Sequence, residues 1–238
     1  MDCDYIKLGD CLEIMRTLPD DSVDVVFTSP PYGDMGRKSV DYCNGNTHTK
    51  YLDFEIYDDY VNWLSARIDE MVRVAKKAVL VNIQANYNNK SEVYKLIGKY
   101  ADSIQDILIY NKKTAMPTST PNAISNYYEM VLILRPSNNT RVKVNSKFYT
   151  NVITINSRNN NKYASVHRAV MNKEFCDEII KEFTNNGDIV LDPFSGTGTT
   201  AISCIQQGRH YIGLEINETY YNLSLARISE ETSKINLW

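Results

Sequence analysis

Short apolar runs alternate along the chain with stretches whose apolar residues recur at helical spacing. Tyr5–Leu8, Val23–Thr28, Ala78–Ile83, Ile104–Tyr110, Met130–Leu134, Asp188–Leu191 and Tyr211–Glu215 are short, apolar and bounded by polar or turn residues, which predicts strands. Between them, Tyr57–Lys76 places Tyr60, Trp63, Leu64, Ile68, Met71, Val72 and Val74 at helical intervals. Asp10–Leu18, closed by Pro19, predicts a short helix, as do Ser91–Tyr100, Asn172–Thr184, Thr199–Gln207 ending at Gly208, and Glu218–Glu231. Seven strands with interleaved helices predict an α/β fold, a mostly parallel sheet with helices on both faces. No internal repeat is present.

Two stretches carry more chemistry than an element boundary needs. The run Val23–Thr28 ends in Ser29-Pro30-Pro31-Tyr32. Consecutive prolines fix two φ angles, remove two N–H donors and bias the residue ahead of each toward extended geometry. The product is a stiff tip whose carbonyls lack local N–H partners, with an aromatic ring beside them. The second stretch, Ile189-Val190-Leu191-Asp192-Pro193-Phe194-Ser195-Gly196-Thr197-Gly198-Thr199-Thr200, takes an apolar strand through a glycine turn into a helix. Such glycines let a ligand approach the main chain, and the helix start adds N–H groups and a positive dipole end. The next strand ends at Glu215, about the offset of an acidic ribose partner in dinucleotide folds. Gly196-x-Gly198-x-x-Ala201 fits a nicotinamide fingerprint formally, but too few residues follow Glu215 for a second mononucleotide half. Asp192 and Phe194 instead suit a cofactor without a pyrophosphate, whose amino-acid ammonium Asp192 would meet.

At 238 residues the chain fits one domain, 1–238, with room for small insertions. Residues 33–53 form a polar stretch directly after the proline tip, a candidate mobile loop. Pro136–Arg168 contains no Asp or Glu, and carries Arg141, Lys143, Lys147, Arg158, Lys162 and Arg168. The net charge of −3 excludes a wholly basic coat but leaves room for this local positive block. Five widely spaced cysteines without a C-x-x-C pair suggest neither a zinc site nor a disulfide framework, so no metal is expected. No signal-peptide pattern and no long apolar run is seen, so a cytoplasmic protein without membrane association is expected.

The pair Thr28-Ser29-Pro30-Pro31-Tyr32 and Leu191-Asp192-Pro193-Phe194-Ser195-Gly196-Thr197-Gly198 resembles the amino-group DNA methyltransferases that use S-adenosylmethionine. The order, catalytic motif first and cofactor motif last, resembles their β class, a Rossmann-like fold with circularly permuted motifs. Leu8-Gly9-Asp10-Cys11 resembles the family's opening segment, His167-Arg168-Ala169 the motif before the cofactor turn, and Glu215…Tyr220…Arg227 the closing one. The resemblance implies a cofactor site formed by Asp192, Phe194, Gly196, Gly198, Thr200 and Glu215. It places Asp10 and the Cys11 backbone near the adenine and His167 near the methionine end. Asp10 also reads as a helix N-cap. The expected prolines and Phe after His167 are missing, which leaves the far end of the cofactor held differently.

The resemblance also gives the proline tip a task. An exocyclic base amine is planar, with its lone pair delocalised into the ring, and is a poor nucleophile. The Ser29 hydroxyl and Pro30 carbonyl would accept its N–H bonds in a preorganised geometry, and Tyr32 would stack on the base. The base must leave the helix to reach them. In the family, Ser at position 29 favours N4-cytosine, whereas Asp there goes with N6-adenine. An RNA or protein-glutamine substrate, or a non-catalytic DNA-binding subunit, fits these motifs less well. Residues 136–165 are the candidate target-recognition segment, with Arg141, Lys143, Lys147, Arg158 and Lys162 as candidate DNA contacts. Double-stranded DNA, a second copy of the chain and a cognate restriction endonuclease are the partners the family implies.

Overall fold

The computed structural model describes residues 2–32, 57–86, 89–113, 124–155 and 170–235. These build one sheet in the order β1-β8-β7-β2-β3-β5-β4-β6. The strands are β1 (Tyr5–Leu8), β2 (Val23–Thr28), β3 (Ala75–Ile83), β4 (Ile104–Asn111), β5 (Tyr128–Leu134), β6 (Val152–Thr154), β7 (Ile189–Asp192) and β8 (His210–Glu215). β5 runs antiparallel to both neighbours, and every other pairing is parallel. The helices are α1 (Cys11–Met15), α2 (Tyr57–Val74), α3 (Lys90–Lys99), α4 (Lys173–Phe183), α5 (Thr199–Gln207) and α6 (Glu218–Ile235).

Alternation along the strands splits the core in two. Val26 of β2 and Val79 and Val81 of β3 face one side, with Met15 of α1, Tyr60, Leu64, Ile68 and Met71 of α2, and Leu96 of α3. Val25, Phe27 and Leu80 face the other, with Phe175, Ile179 and Ile180 of α4 and Cys204 of α5. This is the period-2 signature of a sheet covered on both faces. Phe175 stacks on Tyr110 at 4.2 Å and meets Phe27 edge-on at 6.1 Å, tying α4 to β4 and β2.

The pattern-based expectations hold for the fold class and differ from the structure in strand number and in several element ends. The sheet has eight strands among the described residues, not seven: β6 lies inside the basic segment. It spans three residues with only Ile153 buried, so no periodicity could announce it. α2 ends at Val74 and β3 starts at Ala75, because Ala75 already pairs with Val23. α1 ends at Met15, after which Thr17 and Leu18 make three-residue-span bonds to Ile14 and Met15 ahead of Pro19. Among the described residues no helix is long and apolar enough to cross a membrane.

Pairing brings the two sequence motifs together. β2 lies between β3 and β7, in register Val25 to Val190 and Val26 to Leu191. The proline tip leaves β2 and the glycine turn leaves β7 at the same edge of the sheet. Strand ends of a parallel sheet are where such folds bind ligands.

Candidate active site

A cleft of about 730 Å³ opens at that edge, between the ends of β2, β3, β7 and β8. Asp192 ends β7 and is 3% exposed. Its carboxylate accepts hydrogen bonds from Thr28 Oγ1 at 2.6 Å, Thr200 Oγ1 at 2.6 Å and the Phe194 amide at 3.1 Å. The Thr28 bond joins residues 164 positions apart and fastens the end of β2 to the glycine turn. Burial pushes the Asp192 carboxyl above the ordinary range, against the pull of those donors.

Gly198 sits at φ +80° as the N-cap of α5. A Cβ added there would lie 3.1 Å from the Ser224 Cβ on α6, tighter than ordinary van der Waals contact. Glu215, at the end of β8, accepts from the Gly196 amide at 2.7 Å and the Asn217 amide at 2.8 Å. Each oxygen keeps a further acceptor site. Burial raises its carboxyl too, and the same amides oppose the shift.

An aromatic wall closes the side of the cleft near α1. Phe194 meets Trp63 at 5.6 Å, Trp63 stacks on Tyr60 at 6.0 Å, and the Arg67 guanidinium lies 4.1 Å over the Trp63 ring. Arg67 Nη2 pairs with Asp10 Oδ2 at 2.9 Å. The other Asp10 oxygen accepts from the Leu12 amide at 2.7 Å, so Asp10 is the N-cap of α1 and an ion-pair partner together. Burial pushes the Cys11 thiol up to about 11, which keeps it protonated at neutral pH.

The proline tip is held by its carbonyls. The Tyr60 hydroxyl donates to the Pro31 carbonyl at 2.7 Å, and Asn89 Nδ2 donates to the Tyr32 carbonyl at 2.5 Å. Among the described residues no donor is assigned to the Pro30 carbonyl. Ser29 Oγ and Tyr32 Oη lie 3.1 Å apart. Asn82 Nδ2, at the end of β3, lies 3.3 Å from Ser29 Oγ, 3.2 Å from Tyr32 Oη and 2.5 Å from Glu129 Oε2. Glu129 pairs through its other oxygen with Lys112. Burial, and then the Glu129 charge, pushes the Tyr32 phenol well above its ordinary value.

A protein-family model described as DNA methylase, of the N6/N4 type, matches residues 23–226. The chain belongs to that family. This DNA methylase is 26% identical over 273 residues to the type II methyltransferase M.Cfr9I of Citrobacter freundii, covering 95% of this chain and 88% of the relative. Its fold matches the PvuII DNA methyltransferase, described as cytosine-N4-specific, with a TM-score of 0.76 at 17% identity over 99% of this chain and 93% of that one. It also matches a putative DNA modification methylase of Thermus thermophilus, solved in complex with S-adenosyl-L-methionine, with a TM-score of 0.68 at 21% identity over 95% and 93% of the two chains.

The cleft of this DNA methylase gathers most of the residues singled out from sequence. Ser29, Pro30, Pro31, Tyr32, Asp10, Cys11, Asp192, Phe194, Gly196, Thr200 and Glu215 all line it, and Gly198 supports the turn behind. His167, Arg158, Lys162 and the 33–53 stretch lie outside the described residues.

The described part of the basic segment, 136–155, is not brought to the cleft as a unit. Gln105 accepts from the Val142 amide at 2.8 Å and donates to its carbonyl at 2.9 Å. Ser146 bonds Glu182 near the end of α4. Those anchors put Arg141 and Lys143 at the edge of the sheet where β4 and β7 begin, the end away from Ser29. Lys147 lies next in the chain, 5.6 Å from the Phe148 ring. Among the described residues of the segment, β6, parallel to β4, climbs back toward the cleft edge.

Sequence reasoning passed over Trp63, Arg67, Asn82, Lys112 and Glu129 as site residues. Asn82 had a readable signal, a polar residue at the end of an apolar strand, as Asp192 and Glu215 are. Trp63 counted only as an apolar helix position. Glu129 reaches the site because β5 pairs antiparallel with β3, which no local pattern announces.

Proposed function

We propose that this DNA methylase transfers a methyl group from S-adenosylmethionine to the exocyclic amine of a flipped base in double-stranded DNA, with cytosine N4 as the target. The observation that carries this reading is the Thr28–Asp192 hydrogen bond, which sets the proline tip beside the glycine turn along one cleft.

The residues suit the cofactor. Glu215 offers two oxygens with spare acceptor sites to a ribose diol. Phe194 and Trp63 offer aromatic surface to an adenine, next to the Asp10–Arg67 pair. The glycine turn has no side chain to obstruct approach. Asp192 keeps one oxygen with a single donor, Thr200, and so retains an acceptor site for the ammonium. When bound, S-adenosylmethionine supplies a methyl group on a positively charged sulfur, open to attack by a nitrogen lone pair.

Ser29 and Pro30 act on that nitrogen. The Pro30 carbonyl, on a proline-stiffened tip, accepts one N–H. The Ser29 hydroxyl accepts the other when its own proton points to Tyr32. Both pull electron density toward the nitrogen as it turns tetrahedral, and the fixed tip spares the reorganisation that water would need. Tyr32, tethered by its hydroxyl to Ser29 and Asn82, presents its ring from the cleft wall. A neutral Ser29 in place of a carboxylate supports the cytosine reading.

Nucleoside mass spectrometry after incubation of unmethylated DNA with isotope-labelled S-adenosylmethionine tests the proposal. Labelled N4-methylcytosine is the expected product. Labelled N6-methyladenine overturns the base and keeps the site. No label in DNA overturns the reading.

A further inference from the structure

Methyl transfer at Ser29 and Pro30 leaves one buried carboxylate of the cleft lining without a task. Glu129 opens β5, is 9% exposed and lines the cleft wall. It shares Asn82 Nδ2 with both hydroxyls of the tip. We infer that Glu129 is the final acceptor of the proton that the methylated base amine releases, reached through the hydroxyls of Ser29 and Tyr32. This rests on the function proposed above.

Every other member of the network can donate. A carboxylate can only accept, so it sets the direction of the hydroxyl protons. With Tyr32 O–H turned to the Glu129 carboxylate, which Asn82 Nδ2 holds beside it, and Ser29 O–H turned to Tyr32, Asn82 occupies one Ser29 lone pair and the other stays open to the cleft. That is the orientation needed to accept an amine N–H. Lys112 from the end of β4 and Asn82 from β3 hold the two Glu129 oxygens in place. Tyr32 from the tip and Tyr110 from β4 are the other titratable groups in the field of Glu129, and burial with that charge raises the Tyr110 phenol to about 12.

Atoms and electrons balance along this route. The amine nitrogen uses its lone pair to form the N–C bond while the S–C bond breaks and its electrons return to sulfur. The nitrogen now carries two hydrogens and a positive charge. One passes as a proton to Ser29 Oγ, the Ser29 proton moves to Tyr32 Oη, and the Tyr32 proton moves to Glu129. A neutral methylamino base and a neutral carboxylic acid result. The acid returns its proton to water when product leaves. Glu129 acts through two other groups and is therefore a positioning residue.

Single-turnover methyl transfer to unmethylated genomic DNA, followed across pH, tests the inference with Glu129→Gln and Glu129→Asp. The glutamine variant is expected to bind S-adenosylmethionine and DNA within about twofold of the parent. Its transfer rate is expected to fall about 10²–10³-fold, the range of a lost general base. A decline of rate on acidification is expected in the parent, and is expected to vanish in Glu129→Gln and return in Glu129→Asp with part of the rate. Parent-like rates in Glu129→Gln, or a slow variant with the parental acid limb, overturn the inference and leave the proposed function standing. If Glu129→Gln does not fold, the Glu129→Asp profile decides: an acid limb identical to the parent's, at the parental rate, overturns the inference. No label with the parent protein itself overturns both.

Discussion

The hydroxyl of Tyr60 donates to the carbonyl of Pro31 at 2.7 Å, from the helix that carries Leu64, Ile68 and Met71 into the core. This bond, with Asn89 on the Tyr32 carbonyl, clamps two successive carbonyls of the tip. Tyr60→Phe removes one clamp and leaves a part-buried acceptor without that donor. Stability is expected to fall by about 1–3 kcal/mol in urea unfolding. Methyl transfer is expected to slow roughly tenfold at nearly unchanged cofactor affinity, as for a preorganisation defect. An unchanged rate places the rigidity of the tip in the two prolines alone.

Gly198 and Gly98 make a contrasting pair. Gly198 is at φ +80° with Ser224 close behind, whereas a Cβ at Gly98, inside α3, meets nothing within 4 Å. Gly198→Ala is expected to cost about 1–2 kcal/mol from backbone strain alone. Calorimetry is expected to show S-adenosylmethionine affinity at least about tenfold weaker. Gly98→Ala is expected to stabilise by about 0.4–1 kcal/mol and leave binding alone. Normal cofactor affinity in Gly198→Ala removes the glycine turn from the cofactor site.

Asp192 and Glu215 both have carboxyls raised in the folded chain, with burial as the largest cause. Between the unfolded and the raised folded value, the folded chain holds a proton that the unfolded chain has lost. Stability therefore falls as pH rises through that window, and the penalty persists above it. Glu215→Gln removes its share, so the slope of unfolding free energy against pH is expected to flatten in the mildly acidic range. Urea titrations at a series of pH values measure it. A slope equal to the parent's would show that Glu215 does not titrate abnormally.

Arg141 and Lys143 lie at the far edge of the sheet from Ser29. Replacing both with Ala is expected to leave the salt dependence of DNA binding unchanged. Each phosphate contact contributes about 0.9 to the slope of log affinity against log salt. A slope reduced by about 2 would show that DNA reaches this edge and that the sequence-based assignment of these residues was right.

The parts legible in sequence were local. Strands announced themselves by apolar runs, α2 by its spacing of Tyr60, Leu64, Ile68 and Met71, and the two motifs by residue chemistry that a plain loop does not need. β6 was illegible because three residues carry no period. The place of Arg141 and Lys143, away from the cleft, was illegible because charge composition says nothing of which end of a sheet a segment crosses.

Local residue chemistry is enough for the α/β alternation, the stiff tip at Ser29–Tyr32 and the glycine turn at Gly196–Gly198, since each follows from side-chain volume and backbone freedom over a few residues. Only the tertiary structure decided that the tip and the turn share an edge, through β2 pairing with β7. It alone brought Asn82, Glu129 and Lys112 behind Ser29, because β5 reverses direction between β3 and β4 and delivers its first residues to the ends of the other strands. Strand order and direction come from summed packing of both sheet faces, a property of the whole chain that no short stretch contains.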